Sequence, residues 1–293
     1  MRSRSSNISS VGFMLMAVAS FSLMDASMKV LVAYYPSLQV AALRGASSLP
    51  FVLIWVWWSA GLRSMMPVRW RLHMVRGALG IVMIGCFAFA LKELPLATGY
   101  AIFFVAPLLI TALSVPILKE KVGPRRWIAV GIGMIGVLVV LRPGTGGFVS
   151  LSGLMVLAAA FCYAGGAITV RMLASSDTSQ SMVVWFLLLM TLGAGAMAAS
   201  AWVPLRPEHV WLIAGMGVTG ALGQMALTAA FRRGEASLIA PLEYTGLLWV
   251  IVWDWLFWRV LPDDATGLGA GIIIASGLYL FKRTRIRQKE AST

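Results

Sequence analysis

Charged residues are scarce in this chain of 293 residues: they make up 12% of it, against roughly 25% in an average soluble domain. Hydrophobic residues make up 59%, and the mean hydropathy is +0.85. A single water-soluble core cannot hide such an apolar excess, so much of the chain must face lipid. The composition therefore indicates an integral membrane protein and argues against a soluble enzyme or binding module.

Cysteine is also rare. The two cysteines, Cys86 and Cys162, lie within apolar runs, and nothing in their placement indicates a disulfide framework or a metal site. The chain lacks the Gly-x(4)-Gly-Lys-Ser/Thr loop that binds ATP. We therefore predict no metal and no cofactor.

Acidic residues are few, so the formal net charge is +13. The basic residues do not form a stripe on a polar face, as nucleic-acid binding would require. They lie in short gaps between apolar runs, where they act as topology signals. We expect membrane lipid, and no nucleic acid, as a partner.

Ten apolar runs approach the length of about 20 residues that a spanning helix needs. The linkers between them are only a few residues long, so no separate soluble domain fits. The predicted spans are 11–33, 38–60, 72–91, 96–118, 125–141, 151–171, 181–203, 210–231, 236–258 and 265–281.

An internal repeat organises these spans. Residues 97–141 contain an apolar run, a short connector with Pro124 and a glycine-rich apolar run, and the same parts recur about 138 residues later, where Pro262 matches Pro124. The stretch from Gly12 likewise resembles the stretch from Gly153. We predict an all-α integral membrane protein of ten transmembrane helices.

The basic residues predict how the two repeats are oriented. With the N-terminus inside, the inner segments hold 17 Lys and Arg and the outer loops hold 4, which favours cytoplasmic termini. The predicted repeats are 1–146 and 147–293. Each has five spans, an odd number, so the second enters the bilayer inverted. Inverted repeats are typical of secondary transporters, whose binding site lies near the midplane between the halves.

These features resemble the drug/metabolite transporter superfamily and, within it, the EamA family. The resemblance rests on ten spans in two inverted halves, on Arg44 within the second span, and on a P-x(12)-E-x(3)-P boundary formed by Pro107, Glu120 and Pro124. It implies a multi-pass transporter of the bacterial inner (plasma) membrane that moves a metabolite by alternating access. Members export amino acids and other metabolites, and some import riboflavin or S-adenosylmethionine-like compounds.

The chain departs from the family pattern before its last span. The second repeat usually carries Gly-Glu there, whereas this chain has Trp258 and Arg259. Glu120 therefore has no counterpart in the second repeat. We interpret it as a cytoplasmic charge that pairs with Lys121 or Arg125 at a helix end.

Ionisable residues within spans are functional candidates by default, because each costs about 2.5–3.5 kcal/mol on insertion scales. Asp25 and Lys29 are four residues apart, share a helix face and can pair. The second repeat has Gly166 in the position of Asp25, as expected if the pair serves an asymmetric substrate. The alternative is a structural ion pair near the outer end of the first span.

Two further ionisable residues are candidates. Arg44 can hold a carboxylate bidentately, either that of a substrate or that of Asp25. Glu243 follows Pro241 in the ninth span and suits substrate or proton binding; alternatively, it pairs with Arg232 or Arg233. Asp25 and Glu243 are the proton-coupling candidates. Asp254, between two tryptophans, is interpreted as a boundary residue.

Aromatic and amide side chains complete the predicted site, although such residues also serve packing. Tyr100 and Phe103 share a face of the fourth span. Tyr163, in the sixth span, is the residue of the second repeat that matches Ser22, and Gln224 lies in the middle of the eighth span. No catalytic residue is predicted. The predicted substrate-binding residues are Asp25, Lys29, Arg44, Tyr100, Phe103, Tyr163, Gln224 and Glu243.

The function expected from these observations is secondary transport of a small amphipathic metabolite, an amino acid or similar, in the export direction and with protons as the candidate coupling ion. Import of a vitamin or nucleoside-like compound is the alternative. A membrane enzyme acting on a lipid-linked substrate would need clustered reactive groups on one face, but His73 and His209 begin spans on opposite sides. A third hypothesis is a non-transporting assembly or sensor subunit. Ten spans suffice for a pathway in one chain, as a monomer or homodimer.

Overall fold

The computed structural model of the protein describes residues 2–59, 61–66, 69–119, 123–141, 150–173, 176–233 and 240–290, and the regular structure in these ranges is helical. Short 3₁₀ turns lie at Leu62–Met65, Ala199–Ala201, Pro207–His209 and Ala240–Thr245, and one π turn lies at Asp254–Trp258. The longer helices are α1 (Arg2–Leu31), α2 (Ser37–Ser59), α3 (Trp70–Ala90), α4 (Leu96–Phe103), α5 (Ala106–Leu118), α6 (Pro124–Leu141), α7 (Leu151–Leu173), α8 (Ser179–Ala198), α9 (Val210–Arg233), α10 (Gly246–Trp253) and α11 (Asp264–Glu290).

Seven segments of the described residues are long and apolar enough to cross a membrane, which makes this a multi-pass membrane protein. Two shorter apolar helices, Trp127–Val140 and Asp264–Ser276, coincide with the predicted fifth and tenth spans. The ninth predicted span is helical over 240–258, and its first residues lie outside the described ranges. The seven spanning segments are Val11–Leu31, Ser37–Ser59, Trp70–Ala90, Leu96–Leu118, Leu151–Val170, Ser179–Ala201 and Pro207–Leu227.

Polar side chains fix where several helices begin. The first N–H groups of a helix have no partner within it, and a side-chain oxygen just before the helix can satisfy one of them. Ser150, Thr178 and Asp263 each accept a hydrogen bond from the backbone N–H three residues further on, at 3.1, 3.1 and 2.9 Å. These residues set the starts of α7, α8 and α11.

The helices of the first half pack against those of the second in matching pairs. The contact of α1 with α9 matches the contact of α3 with α7. The contact of α2 with α9 likewise matches the contact of α3 with α8. The pairs α2–α8, α4–α10 and α6–α11 are also in contact. At the last of these, a Cβ on Gly136 would lie 2.9 Å from the Gly269 carbonyl oxygen, so the backbones touch. The glycines of the fifth span therefore let α6 and α11 pack closely.

Candidate functional site

A break in the fourth span contacts a 3₁₀ turn of the ninth predicted span. Helix α4 ends at Phe103 and α5 begins at Ala106, with Pro107 next. In the second half, the 3₁₀ turn Ala240–Thr245 precedes α10. The rings of Phe104 and Tyr244 lie 5.1 Å apart, so the break and the 3₁₀ turn are in contact. Interrupted helices free backbone groups that can line a cavity.

Asp25, Arg44 and Tyr100 come together on one side of this contact. The Tyr100 hydroxyl donates a hydrogen bond of 2.6 Å to the buried Asp25 carboxylate. The Arg44 guanidinium lies close enough to interact electrostatically with both groups. Among the described residues it has no hydrogen-bond or ion-pair partner. The direct ion pair between Arg44 and Asp25, one of the two alternatives for Arg44, does not form.

Glu243 lies within the 3₁₀ turn Ala240–Thr245. Its carboxyl group interacts electrostatically with Tyr163 of α7 and with Tyr244, and it too lacks a hydrogen-bond or ion-pair partner within the described ranges. The nearby Arg76 is engaged elsewhere: it donates to the Met182 carbonyl and covers a ring of α8. Arg232 and Arg233, its alternative partners, have side chains outside the described part of the chain.

A row of aromatic rings connects the two sides. Neighbouring rings are 5.1–6.2 Å apart between centroids, within the range of favourable aromatic contacts. The row contains Tyr100 and Phe103, which were predicted to share a face, and joins Phe103 to Tyr163. In order, its members are Tyr163, Phe103, Phe87, Tyr100, Phe104 and Tyr244.

Lys29 does not pair with Asp25, so the pairing suggested by their spacing is wrong. Its ammonium lies 3.1 Å from an Asp254 carboxylate oxygen and over the Trp258 ring, 4.6 Å from the centroid. The two side chains are 12% and 1% exposed, so the pair is buried. Lys29 and Asp25 diverge because Asp25 has Tyr100 as a partner, whereas the π turn carries Asp254 to Lys29.

Asp254 is not a boundary residue, contrary to the interpretation from sequence. It is fully buried, and its two oxygens also accept the backbone N–H groups of Leu96 and Ala97 at 3.1 and 2.7 Å. It thereby caps α4 while it pairs with Lys29 of α1. We call this arrangement the Lys29–Asp254 clasp, because it ties together α1, α4 and the π turn.

The two histidines also join residues of the first half of the chain to residues of the second. His73 Nε2 lies 2.9 Å from Asp177, with both side chains buried. His209 Nδ1 lies 2.8 Å from the Tyr35 hydroxyl, which also accepts the Arg206 N–H.

The remaining predicted residue, Gln224, is half-buried on α9 and takes part in an interaction there. Two cavities, of about 410 and 400 Å³, lie away from the central residues. The first includes Cys86 and Lys92, and the second lies between α6 and α11. None of the predicted site residues lines either cavity.

Sequence reasoning missed Asp254, Tyr244 and Phe87 as members of these clusters. For Asp254 a signal was present: a carboxylate within an apolar run carries the same insertion cost that singled out Asp25. Phe87 gave no signal, because a lone aromatic in a span is as compatible with lipid contact as with a site.

The fold is a helical membrane fold, and charged groups lie near the contact between the fourth and ninth spans. Together they define the class of protein, a multi-pass membrane transporter. A model of the EamA-like transporter family matches residues 8–142 and 151–281, and the chain belongs to that family. It is a transporter and not an enzyme, it lies in the membrane, and it acts on a small molecule.

Several relatives bear names that describe transport. The chain is 31% identical to "Riboflavin transporter" of Vibrio cholerae, covering 84% of this chain and 83% of that protein. It is 28% identical to "Pseudopaline exporter CntI" of Pseudomonas aeruginosa, with 94% and 96% covered. It is 25% identical to "S-adenosylmethionine uptake transporter" of Rickettsia prowazekii, with 93% and 92% covered. A solved crystal structure of 16% identity superposes with a TM-score of 0.68 over 94% of this chain and 97% of the other, so the two share a fold.

Proposed function

We propose that the protein is a secondary transporter that exports a small amphipathic metabolite, an amino acid or similar, by alternating access. The observation that carries this proposal is the contact between the break in the fourth span, at Phe104, and the 3₁₀ turn that holds Glu243 and Tyr244, with Arg44 in the neighbouring cluster. A substrate held there would touch both halves of the molecule. Apolar and aromatic walls would hold its body, and the charges would orient it.

Alternating access by this route rests on ten spans in two inverted repeats, 1–146 and 147–293. Two observations support that arrangement. The helix contacts recur when the halves are exchanged: α1 with α9 corresponds to α3 with α7. The fourth and ninth spans also both end on a basic residue in the left-handed conformation, Lys119 and Arg259, each with φ 56°. Non-glycine residues rarely adopt this conformation, so its recurrence argues for a shared design.

The proposed orientation places both termini in the cytoplasm and the protein in the inner (plasma) membrane, as a monomer or homodimer. The Lys29–Asp254 clasp then lies at the outer ends of spans one, four and nine. We propose that it closes the outer side, so Lys29 stabilises a conformation instead of contacting substrate. Single cysteines near residues 1 and 293, probed with an impermeant thiol reagent in whole cells and in inverted vesicles, test the orientation. Labelling of the two positions from opposite sides would contradict it.

Glu243 is the proposed proton-coupling residue, because no other side chain neutralises it in the described structure. Asp25, the second candidate, has Tyr100 as a donor and Arg44 as a neighbouring charge, which suits it to positioning Arg44. Tyr100, Phe103, Tyr163 and Gln224 are the proposed uncharged contacts.

Counterflow of candidate metabolites in proteoliposomes, with and without a pH gradient, tests the proposal. Glu243→Gln should remove the response to the gradient, and Asp25→Asn should weaken transport. Unchanged transport in both variants would remove these assignments.

Import of a vitamin or nucleoside-like compound is the second candidate. It is favoured by the aromatic row, on which a planar ring could stack, and by relatives named for riboflavin transport and S-adenosylmethionine uptake. The direction of counterflow in right-side-out vesicles separates the two candidates.

A further inference from the structure

We propose that α2 and α8, one helix from each half of the chain, form a fixed frame whose two ends both stay closed throughout transport. The other spans then move against this frame, and the two halves do not swing apart as whole bodies. This inference rests on the proposed transport function and states which part of the molecule stays still while the site opens.

Polar contacts join the start of α2 to the segment that follows α8. The Gln39 side chain donates a hydrogen bond of 2.7 Å to the Val203 carbonyl oxygen and accepts the Val203 N–H at 2.9 Å. The Tyr35 hydroxyl lies 2.8 Å from His209 Nδ1 and accepts the Arg206 N–H at 3.0 Å. Gln39 and Tyr35 are both buried. We call these contacts the Gln39 junction.

Contacts of the same kind join the start of α8 to the segment that follows α2. The Thr178 hydroxyl donates to the Ser64 carbonyl oxygen at 2.5 Å, and the Trp185 indole N–H donates to the Met65 carbonyl oxygen at 2.6 Å. Met65 is the residue of the first repeat that matches Val203, because the two stand one repeat interval apart. We call these contacts the Thr178 junction.

A histidine contact completes each junction. Tyr35 and Asp177 each stand two residues before the first residue of α2 or α8. Tyr35 contacts His209 at the start of α9, and Asp177 contacts His73 in the first turn of α3. Exchanging the two halves of the chain therefore converts one junction into the other. Both junctions are closed in the same structure.

Helices α2 and α8 also touch between the two junctions. A Cβ on Gly45 would lie 2.9 Å from the Met190 side chain and 3.2 Å from the Leu187 carbonyl oxygen, and a Cβ on Gly195 would lie 3.8 Å from Ala42. Helix α2 has 23 residues, about 34 Å at 1.5 Å per residue, so the pair is held at its middle and at both ends. Closely packed interiors transmit strain and do not deform smoothly, so the pair moves as one body.

The Lys29–Asp254 clasp has no such counterpart in the other half. By the intervals of the repeat, Val170 matches Lys29 and Pro116 matches Asp254, and neither residue carries a charge. The clasp therefore fastens one face of the molecule, as expected of a contact that stabilises one of two conformations. It ties α1, α4 and the ninth span together, and these are the elements that move. Arg44 lies on α2 and stays with the frame.

Chemical crosslinks across the two junctions test the frame. In a background without the native cysteines, Tyr34→Cys with Arg206→Cys bridges the Gln39 junction, because the Arg206 guanidinium lies 5.2 Å from the centre of the Tyr34 ring. Ser64→Cys with Thr178→Cys bridges the Thr178 junction. A short bifunctional thiosulfonate reagent joins each pair, and mass spectrometry measures the crosslinked fraction.

Counterflow in proteoliposomes then compares each crosslinked variant with the same variant after treatment with a monofunctional thiosulfonate. Both crosslinked variants should transport without loss, since neither junction opens during transport. Loss of transport that follows the bifunctional reagent, but not the monofunctional one, would overturn the frame.

A distance measurement tests the frame without any transport. Spin labels on Trp58→Cys and Trp202→Cys, at exposed positions near the ends of α2 and α8, span the frame; labels on Trp58→Cys and Leu261→Cys join it to the segment after the ninth span. Lys29→Met, which opens the clasp, should lengthen the second distance and leave the first unchanged. Lys92→Met, at an exposed lysine, is the control and should change neither. A second distance within the frame would overturn the inference.

Failure of this inference and failure of the proposed function give different results. If the wild-type protein transports solute and a crosslink across either junction stops transport, the frame is wrong and the proposed function stands. If no solute crosses the membrane with the wild-type protein, the proposed function is wrong, and the label distances still decide whether the frame exists.

Discussion

The Lys29–Asp254 clasp contains one basic and one acidic side chain, and so does the site that holds Arg44 and Glu243. The two regions differ in whether these charges have partners. In the clasp, each charge is neutralised, and Asp254 also satisfies two backbone N–H groups. At the centre, both charges lack such partners in the described part of the chain. A satisfied buried pair holds helices together. We propose that the difference separates structural charges from charges that contact a ligand, and four predictions test it.

Asp254→Ala should have the largest effect on stability. It leaves the Lys29 ammonium unpaired and the first N–H groups of α4 unsatisfied, which should cost about 3–5 kcal/mol of the free energy of unfolding. Chemical denaturation in detergent micelles measures it. Glu208→Ala, which breaks an exposed ion pair with Arg206, is the matched control and should change little. Similar losses in both would show that the clasp is not structural.

His73→Ala should cost about 2–3 kcal/mol, because it leaves the buried Asp177 carboxylate without its imidazole partner. His209→Ala removes a half-buried contact with Tyr35 and should cost about 1 kcal/mol. Unfolding of the two variants, compared under the same conditions, checks the order. The reverse order would mean that burial does not decide which of the two contacts contributes more to the free energy of unfolding.

Lys29→Met should cost about 1–2 kcal/mol, less than Asp254→Ala, because Asp254 keeps the N–H groups of Leu96 and Ala97 as partners. The methionine side chain can still pack on the Trp258 ring. If Lys29→Met abolished substrate binding while the protein stayed folded, Lys29 would belong to the substrate site after all.

Glu243→Gln should have the smallest effect on stability and a large effect on transport. Its carboxyl has no described partner to lose, so the free energy of unfolding should change by about 0.5 kcal/mol or less. Transport in proteoliposomes should fall by about tenfold or more, an amount that one lost charged contact can produce. A marked loss of stability would move Glu243 into the structural group.

Seven of the ten predicted spans are confirmed, because lipid imposes a simple rule: each crossing needs a long apolar run. The same reasoning found Asp25, Arg44 and Glu243, because a charge in such a run is costly wherever it lies. It went wrong on partners. The spacing of Asp25 and Lys29 suggests a local pair, but each finds its partner in a distant helix, and Lys29 and Asp254 are 225 residues apart in the chain.

Local composition and charge placement were enough to establish a multi-pass helical membrane protein with buried charges, because these depend only on the cost of transfer into lipid. Only the tertiary structure decided which charges are neutralised. That depends on where the interruption at Phe104 and the π turn at Asp254 bring distant side chains, and hydrogen bonds and ion pairs form only within about 3–4 Å. Separations of that size are set by helix packing, which no local pattern in the sequence records.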